Sequence, residues 1–569
     1  MLRNSHKIAI PGRKKRLGLA RRSVVSLQVM LSSLAFALGG CVRTPEHWTI
    51  SASASSVPTH DLLELSFRHG AAYSDPFLDV SLQAELIAPD GSRRLIRGFH
   101  HSKDLWMIRF RPDIPGAWTY RYRFTARQGF RKDGFGSFHC TSSDRKGGVR
   151  PHPVNPYRWV FSNGQPYLPI GLQDCIGIEE GPELNFGVDG EGRNDGSKRI
   201  LNADQYFSLY SKAGFNLLRF SQRNCSYSLY GPLDRFLERE SLVTDKLLAT
   251  ARKHGFRVFF GFFGYHGGHY GNTIPEKVIG LLRSKVSPPE GINDVTDNAV
   301  VEKEKRFLDY AVARWGVYAD FWELLNERKP DDRWVAIMAD YVRSIDPDRK
   351  PISTSWERPH LKAIDINTPH WYESEKESDS DLRIRQQAEK WKAFGKPVIV
   401  GEHGNSGMNW DPKSGVRMRV RLWTALFQEI SLILWNTSWS KAGLHRGRHT
   451  PGQASNIYLG PEERGYIRAL TDFSARLDAD VRMAPVVVSP SEAVRGYGLR
   501  SPRRTAVYLH HFATHERPVR VTLQLDIPAG EATWIDPSTG RILQKTRVRT
   551  RNQQLQTPEF RVDLALLVE

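Results

Sequence analysis

Glu327 in FWELLNE and Glu402 in KPVIVGEHGN each stand at the carboxyl end of a short apolar run of strand character, 75 residues apart in the chain. A strand that ends in a carboxylate presents it rigidly, because the strand fixes the backbone while the loop beyond leaves the side chain open to a ligand. Two acids held in this way can divide the cleavage of an acetal. One protonates the departing glycosidic oxygen, and the other attacks the sugar carbon from the opposite face. Their surroundings must therefore differ. Asn326 is a neutral amide that can orient a sugar hydroxyl without adding charge, whereas Glu402 is followed by His403 and can draw on Arg219. Glu327 is accordingly read as acid/base and Glu402 as nucleophile. Chance alone supplies about one or two Asn-Glu dipeptides in a chain this long, so the surrounding pattern has to carry the reading.

Further residues recur in a fixed order around the two acids: Arg219 in GFNLLRF, His266 in RVFFGFFGYHG, the Asn326-Glu327 pair, His370 and Tyr372 in DINTPHWYES, Glu402, and Trp435 in SLILWNTSW. This order resembles the clan A glycoside hydrolases, most closely the family 5 type, over the middle of the chain. The resemblance implies a retaining mechanism on a (β/α)8 barrel. It also implies that Arg219 and Tyr372 keep the nucleophile ionised and aligned, that His266 and His370 line the sugar site, and that Trp435 supports the ring. His269 is an alternative to His266, since the glycines around it leave the register open. Each residue has a structural reading as well. Arg219 can be an arginine of a buried ion pair, the histidines can be surface residues of turns, and Trp371, Trp435 and Trp439 can be core aromatics rather than flat platforms for a pyranose.

The elements that must position these groups divide the chain, and the fold expected is multidomain: a central (β/α)8 TIM barrel flanked by N-terminal and C-terminal β-sandwich domains. Over residues 45–147 short runs such as LLELSFR, LWMIRFRPD and WTYRYRFTA alternate with period two between Asp-Gly and Pro-Gly turns, which predicts an antiparallel sandwich. It resembles the immunoglobulin-like module that often precedes such barrels and is read as a structural or substrate-shaping module, glycan binding by Trp106 or Trp118 being the lesser alternative. Over 152–478 helical patterns closed by glycine or proline alternate with apolar runs, LPIGLQD, GFNLLRF, RVFFGFFG, FWELLN, PISTSW, INTPHWY, PVIVGE and LILWN, which makes eight strands. Over 482–569 the alternation returns, and a second β-sandwich is expected. Long loops mark one end of the barrel. One carries Glu179, Glu180, Glu183, Asp189, Glu191 and Asp195 without the ordered spacing of a calcium loop. Another carries Lys441, His445, Arg446 and Arg448 as a basic rim.

Residues 1–40 hold eight Lys/Arg and no acid, followed by the apolar run SVVSLQVMLSSLAFALGG, the pattern of a secretory signal. It ends in Leu38-Gly39-Gly40-Cys41, which resembles a bacterial lipobox, so residues 1–41 predict an exported, cell-envelope protein anchored to the membrane through a lipid on Cys41; an ordinary signal peptide is the alternative. Without that segment the formal charge falls from +19 to +11. No nucleic-acid-reading motif is present, which sets nucleic acid aside as a partner in favour of a carbohydrate. In a compartment that permits disulfides, Cys175 and Cys225 are a candidate pair, with Cys140 left over. No cysteine or histidine set has metal-ligand spacing, no His-x-His marks a metal-dependent barrel hydrolase, and the double-displacement chemistry needs no cofactor. The alternative function is a non-catalytic glycan-binding surface lipoprotein that keeps the barrel as a platform. Retention of Arg219, Asn326, Glu327, Tyr372 and Glu402 together argues against it.

Overall fold

The computed structural model describes residues 47–569 apart from 175, 180–184, 189–201, 222–228, 230–234, 264–297, 328–330, 356, 374–375, 406–409, 411, 437, 439–456, 526–528 and 550–552. The export segment with Cys41 therefore lies outside the described residues, as do His266, His269, Cys175, Cys225, Trp439 and the loop residues Lys441, His445, Arg446 and Arg448. His47–Glu569 form one compact unit.

Its centre is an eight-stranded parallel sheet: Ile170–Gln173, Leu217–Ser221, Arg257–Phe263, Phe321–Leu325, Ile352–Ser353, His370–Tyr372, Ile399–Gly404 and Ser431–Trp435, numbered one to eight here. They neighbour one another in the order 5-4-3-2-1-8-7-6. Between strands five and six the ring is closed by backbone bonds from Asp365 and Ile366 N–H to the Ile352 carbonyl, at 2.8 and 3.3 Å. Runs such as RVFFGFF are buried at every position, as strands covered on both faces must be. Helices follow most strands, and two of them open on side-chain caps, Asp332–Ile345 on Asp331 and the first on a fuller motif. Ala203–Lys212 opens on a capping box between Asn202 and Gln205. Among the described residues no helix joins strands five and six, a departure from the ideal eightfold repeat. The first acidic loop is not plain coil either, since Ile176–Glu179 pairs antiparallel with Asn185–Val188.

Inside the ring the floor is apolar. Leu217, Phe259, Phe321, Ile366, Ile399 and Ile433 pack with Trp159 and Phe161 of a short three-stranded sheet that plugs the N-terminal end. The polar residues of the same strands lie towards the other end.

Ahead of the barrel, a four-stranded and a five-stranded sheet share one core built on Phe67, Trp106, Trp118, Phe124 and Phe138. Trp106 and Trp118 are 1 % and 0 % exposed, and their indole N–H groups donate to the carbonyls of Pro76 and Ile114. The lesser alternative, that they contact glycan, is thus set aside: inward-facing strand positions place both indoles in the core. Cys140 is buried here as a free thiol. After the barrel, a six-stranded and a three-stranded sheet surround a core containing Val507, Leu523, Trp534 and Leu566. Their contact with the barrel is ionic as well as apolar. Asp381 on helix Ser380–Lys392 accepts from Arg495 at 2.7 and 2.8 Å and from Tyr497 at 2.7 Å, and Arg419 pairs with Asp563.

Asp245 of the barrel latches the first sheet pair to it, alongside the more exposed Arg97–Asp309 pair. Asp245 on helix Glu238–Lys253 accepts from Arg109 at 2.9 Å, from Arg314 at 2.6 Å and from the Trp315 indole at 3.0 Å. Burial works to raise its pKa, but Arg109 and Arg314 outweigh it and hold the carboxyl below the usual carboxylate range. The stabilisation is therefore present at neutral pH and disappears as pH falls below that range. Asp245→Asn leaves the buried Arg314 without a counter-charge and Arg109 with Glu64 alone, and is expected to cost about 3–5 kcal/mol in urea unfolding at pH 7. A change below about 0.5 kcal/mol would show that the latch is not ionic.

Candidate active site

The barrel strands bring Glu327 and Glu402 together over the end of the ring away from the plug. Glu327 lies just past strand four with φ at 49°, in the left-handed region that a β-carbon disfavours, so the surrounding structure has to impose its position. Its side chain is 26 % exposed and Oε1 lies 2.7 Å from His370 Nδ1. Glu402 is almost fully buried. Its Oε1 accepts from Arg219 at 2.7 Å and from Gln173 Nε2 at 3.2 Å, its Oε2 accepts from the Tyr372 hydroxyl, and His370 Nδ1 stands 3.5 Å from Oε2. One oxygen of Glu327, one of Glu402 and a ring nitrogen of His370 all lie within 4.8 Å of one another.

Simple alternation does not deliver this arrangement. Ile399 belongs to the apolar floor, so counting by twos along strand seven would turn His403 inward rather than Glu402. A register shift between Val400 and His403 inserts the extra residue that re-aims Glu402. His403 consequently packs outward, with Nδ1 on the Trp371 carbonyl and its ring against Trp371. Burial and then Arg421 hold its pKa well below the ordinary imidazole value. The expectation that His403 helps Glu402 is corrected in this way, and the cation that lies against Glu402 is Arg219, at 2.7 Å.

Arg219 is buried and spends its donors on a ring of acceptors: Glu402 and Gln173 through Nη1, Asn326 at 2.6 Å through Nη2, and Glu323 through Nε and Nη2 at 3.1 and 2.6 Å. Burial opposes its charge, but Glu323 and Glu402 more than compensate. Glu323 and Gln173 are the residues that sequence reasoning missed. A signal was present, because an acid inside the apolar run FWELL must be paired if that run is a buried strand. Ser355 joins Glu323 to His370, with its hydroxyl 2.8 Å from Glu323 Oε1 and 3.1 Å from His370 Nε2. Two glycines make the space. A β-carbon on Gly261 would come 3.2 Å from Glu323 Oε2, and one on Gly401 would come 3.0 Å from His370 Nε2. The Asn326 amide nitrogen is buried without a hydrogen-bond partner among the described residues.

Of the remaining candidates, Trp435 ends strand eight half-buried. Trp371 is a core residue whose indole N–H donates to Glu373. Glu327, His370 and Glu402 could geometrically share a cation. Both Glu402 oxygens already accept hydrogen bonds, however, and the guanidinium of Arg219 beside them repels added positive charge.

A model of a domain of unknown function, DUF5060, matches residues 56–125, within the first sheet pair. No curated protein matches the chain. Among solved structures, a provisionally named glycoside hydrolase from Bacteroides vulgatus ATCC 8482 overlays 90 % of this chain and 100 % of its own at 15 % identity, with a TM-score of 0.61. A family 39 glycoside hydrolase from Bacteroides cellulosilyticus WH2 covers 92 % and 100 % at 12 % identity with a TM-score of 0.43. A family 5 mannosidase from Rhizomucor miehei covers 58 % and 99 % at 14 % identity with a TM-score of 0.39. The chain therefore has a glycoside-hydrolase-like fold, a statement that rests on the first of these overlays.

Burial works to raise the Glu402 pKa, but His370 and Arg219, with the hydrogen bonds from Tyr372 and Arg219, bring it below the usual glutamate range. A group depressed in this way stabilises the fold above its unfolded pKa, about 4.3, and loses that contribution as pH falls through the folded value. Tyr372→Phe removes one of these bonds. The stability lost below about pH 4.3 should then be smaller for the variant, and its loss complete at a higher pH, when unfolding is followed over the acid range, and superimposable pH dependences would remove Tyr372 from the control of Glu402.

Proposed function

We propose that this protein is a retaining glycoside hydrolase that cleaves O-glycosidic bonds of a polysaccharide or oligosaccharide by double displacement. The observation that carries the reading is the approach of the Glu327 and Glu402 carboxylates to within 4.8 Å in unlike surroundings. Retaining pairs stand about 5–5.5 Å apart, whereas inverting pairs leave about 6.5–9.5 Å for an intervening water. Glu402, held ionised by Arg219 and Tyr372, attacks the anomeric carbon. Glu327 protonates the leaving oxygen, then takes a proton from the water that releases the sugar from Glu402.

The hydrogen-bond network supports the loading of Glu327 with a proton. Glu323, paired with Arg219, is an acceptor only, so the Ser355 hydroxyl donates to it and must accept from His370 Nε2–H. Where His370 is neutral, its Nδ1 offers a lone pair and the 2.7 Å contact with Glu327 places a proton on the carboxyl; the charge that lowers Glu402 belongs to the doubly protonated imidazole. When Glu327 gives its proton away, the same contact can persist only with His370 doubly protonated. The unpartnered Asn326 amide is suited to a sugar hydroxyl beside the reacting carbon.

The proposal extends to the rest of the chain. The sheet pairs before and after the barrel are read as β-sandwich modules, the first immunoglobulin-like, that hold the barrel at its flanks. Residues 1–41 are read as an export signal leading to a lipid on Cys41; Cys41→Ser should then move the protein from the membrane to the soluble fraction. The catalytic proposal is tested on a glycan panel with product NMR. Glu402→Ala and Glu327→Gln should each lower turnover by orders of magnitude, and the wild-type product should keep its anomeric configuration. Inverted product, or hydrolysis undiminished in both variants, would sink the assignment.

A further inference from the structure

A second cleft lies at the opposite end of the barrel, where the first sheet pair meets the segments that lead into strands three, four and five. It encloses about 840 Å³ and is lined by ten Lys/Arg against four aspartates. Six of the ten cations are already matched by acids. Asp320 takes both Arg252 and Arg257, Asp113 takes Arg94, Asp61 takes Arg145, Asp204 takes Lys253, and Lys350 sits between Asp346 and Asp348. Arg111, Lys146, Arg150 and Arg349 have no carboxylate partner among the described residues.

Arg111 is the innermost of these four. Nη1 donates to the His60 carbonyl at 3.0 Å, the guanidinium lies 5.8 Å from the Tyr318 ring, and Nε is buried with no hydrogen-bond partner. Burial, then the charge of Arg252, push its pKa down to about 9. A guanidinium nevertheless keeps its proton at neutral pH, so it remains a desolvated cation whose cost an incoming anion would relieve. Lys146, Arg150 and Arg349 are exposed at the rim. The space is far larger than a single phosphate needs. Nor does it offer a stacking face, because Tyr318 and Phe256 on its wall are both buried. What remains to recognise is charge, and guanidinium groups pair best with oxyanions that accept two bonds at once.

We infer that this cleft binds a small molecule or headgroup carrying two or more phosphate groups, one meeting Arg111 inside and the others meeting Lys146, Arg150 and Arg349 at the mouth. The site is independent of Glu327 and Glu402 and does not rest on glycan hydrolysis.

Calorimetric titration of the full chain with inorganic tripolyphosphate at neutral pH and low salt tests it. One site per chain is expected, weakened about tenfold or more by Arg111→Met, which keeps the apolar stem against Tyr318 while removing the charge. Glu402→Gln should bind as the wild type does. If Arg111→Met does not fold, Lys146→Gln combined with Arg150→Gln on the exposed rim carries the same expectation. Vesicles containing cardiolipin, whose headgroup carries two phosphates, provide the second arm: displacement of tripolyphosphate by them identifies a headgroup as the ligand, and its absence, with tripolyphosphate still bound, identifies a soluble phosphorylated molecule. No binding of tripolyphosphate, or binding unchanged by both sets of substitutions, overturns the inference.

Discussion

One buried guanidinium organises the open end of the barrel. Arg219 gives up its hydration inside the ring, which is affordable only because every face of its planar group meets an acceptor. Two of those acceptors are carboxylates, Glu323 and Glu402, so a single positive charge is shared by two negative ones. The excess is spread further: the Tyr372 hydroxyl and Gln173 donate to Glu402, and Ser355 donates to Glu323. Strands one, two, four, six and seven and the segment just past strand five each contribute to this ring, so the positions of the two glutamates are set by the barrel as a whole. The short path from Glu323 through Ser355 and His370 to Glu327 makes the buried ion pair and the half-exposed acid parts of one system.

The backbone departs from regularity where the side chains demand it. The register shift in strand seven turns Glu402 inward, the left-handed residue at Glu327 turns that carboxyl back over the ring, and Gly261 and Gly401 leave out side chains that would collide with Glu323 and His370. Each device is local. The adjoining apolar positions keep strict alternation, which lets the floor of Leu217, Phe259 and Phe321 pack regularly beneath an irregular top.

These departures explain what could be read in the chain beforehand. The strands were legible because a parallel sheet covered on both faces has to be apolar throughout, and FWELL, RVFFGFF and SLILW show that without ambiguity. The two glutamates were legible because they interrupt such runs at their ends. Glu323 escaped notice because it sits in the middle of its run, where an acid is intelligible only once its partner, 104 residues distant, is known. The role given to His403 failed for a related reason: adjacency in sequence means opposite faces in a strand, and the bulge that decides which face is inward leaves little trace in the residues. Trp106 and Trp118 illustrate the same limit. Aromatic content marks a residue as valuable for contact, but only its pairing register decides whether that contact is with a ligand or with the core.

The ionic top of the ring is not explained by folding. Buried ion pairs generally break even or lose against apolar side chains of equal volume, and the floor of this same barrel closes its lumen with leucine, isoleucine and phenylalanine. A barrel selected for stability alone could repeat that solution one layer higher. Instead Gln173, Arg219, Glu323, Ser355, His370, Tyr372 and Glu402 occupy the layer that faces the long loops, and two glycines widen it. The flanking modules show the contrasting use of charge. Asp245 and Asp381 are also acids paired with arginines, but the bonds they accept are made within the interfaces they join. The network around Arg219 instead runs through a serine hydroxyl and an imidazole, groups that can both give and take a proton, to the partly exposed Glu327, and that connection separates a site arranged for proton transfer from a latch.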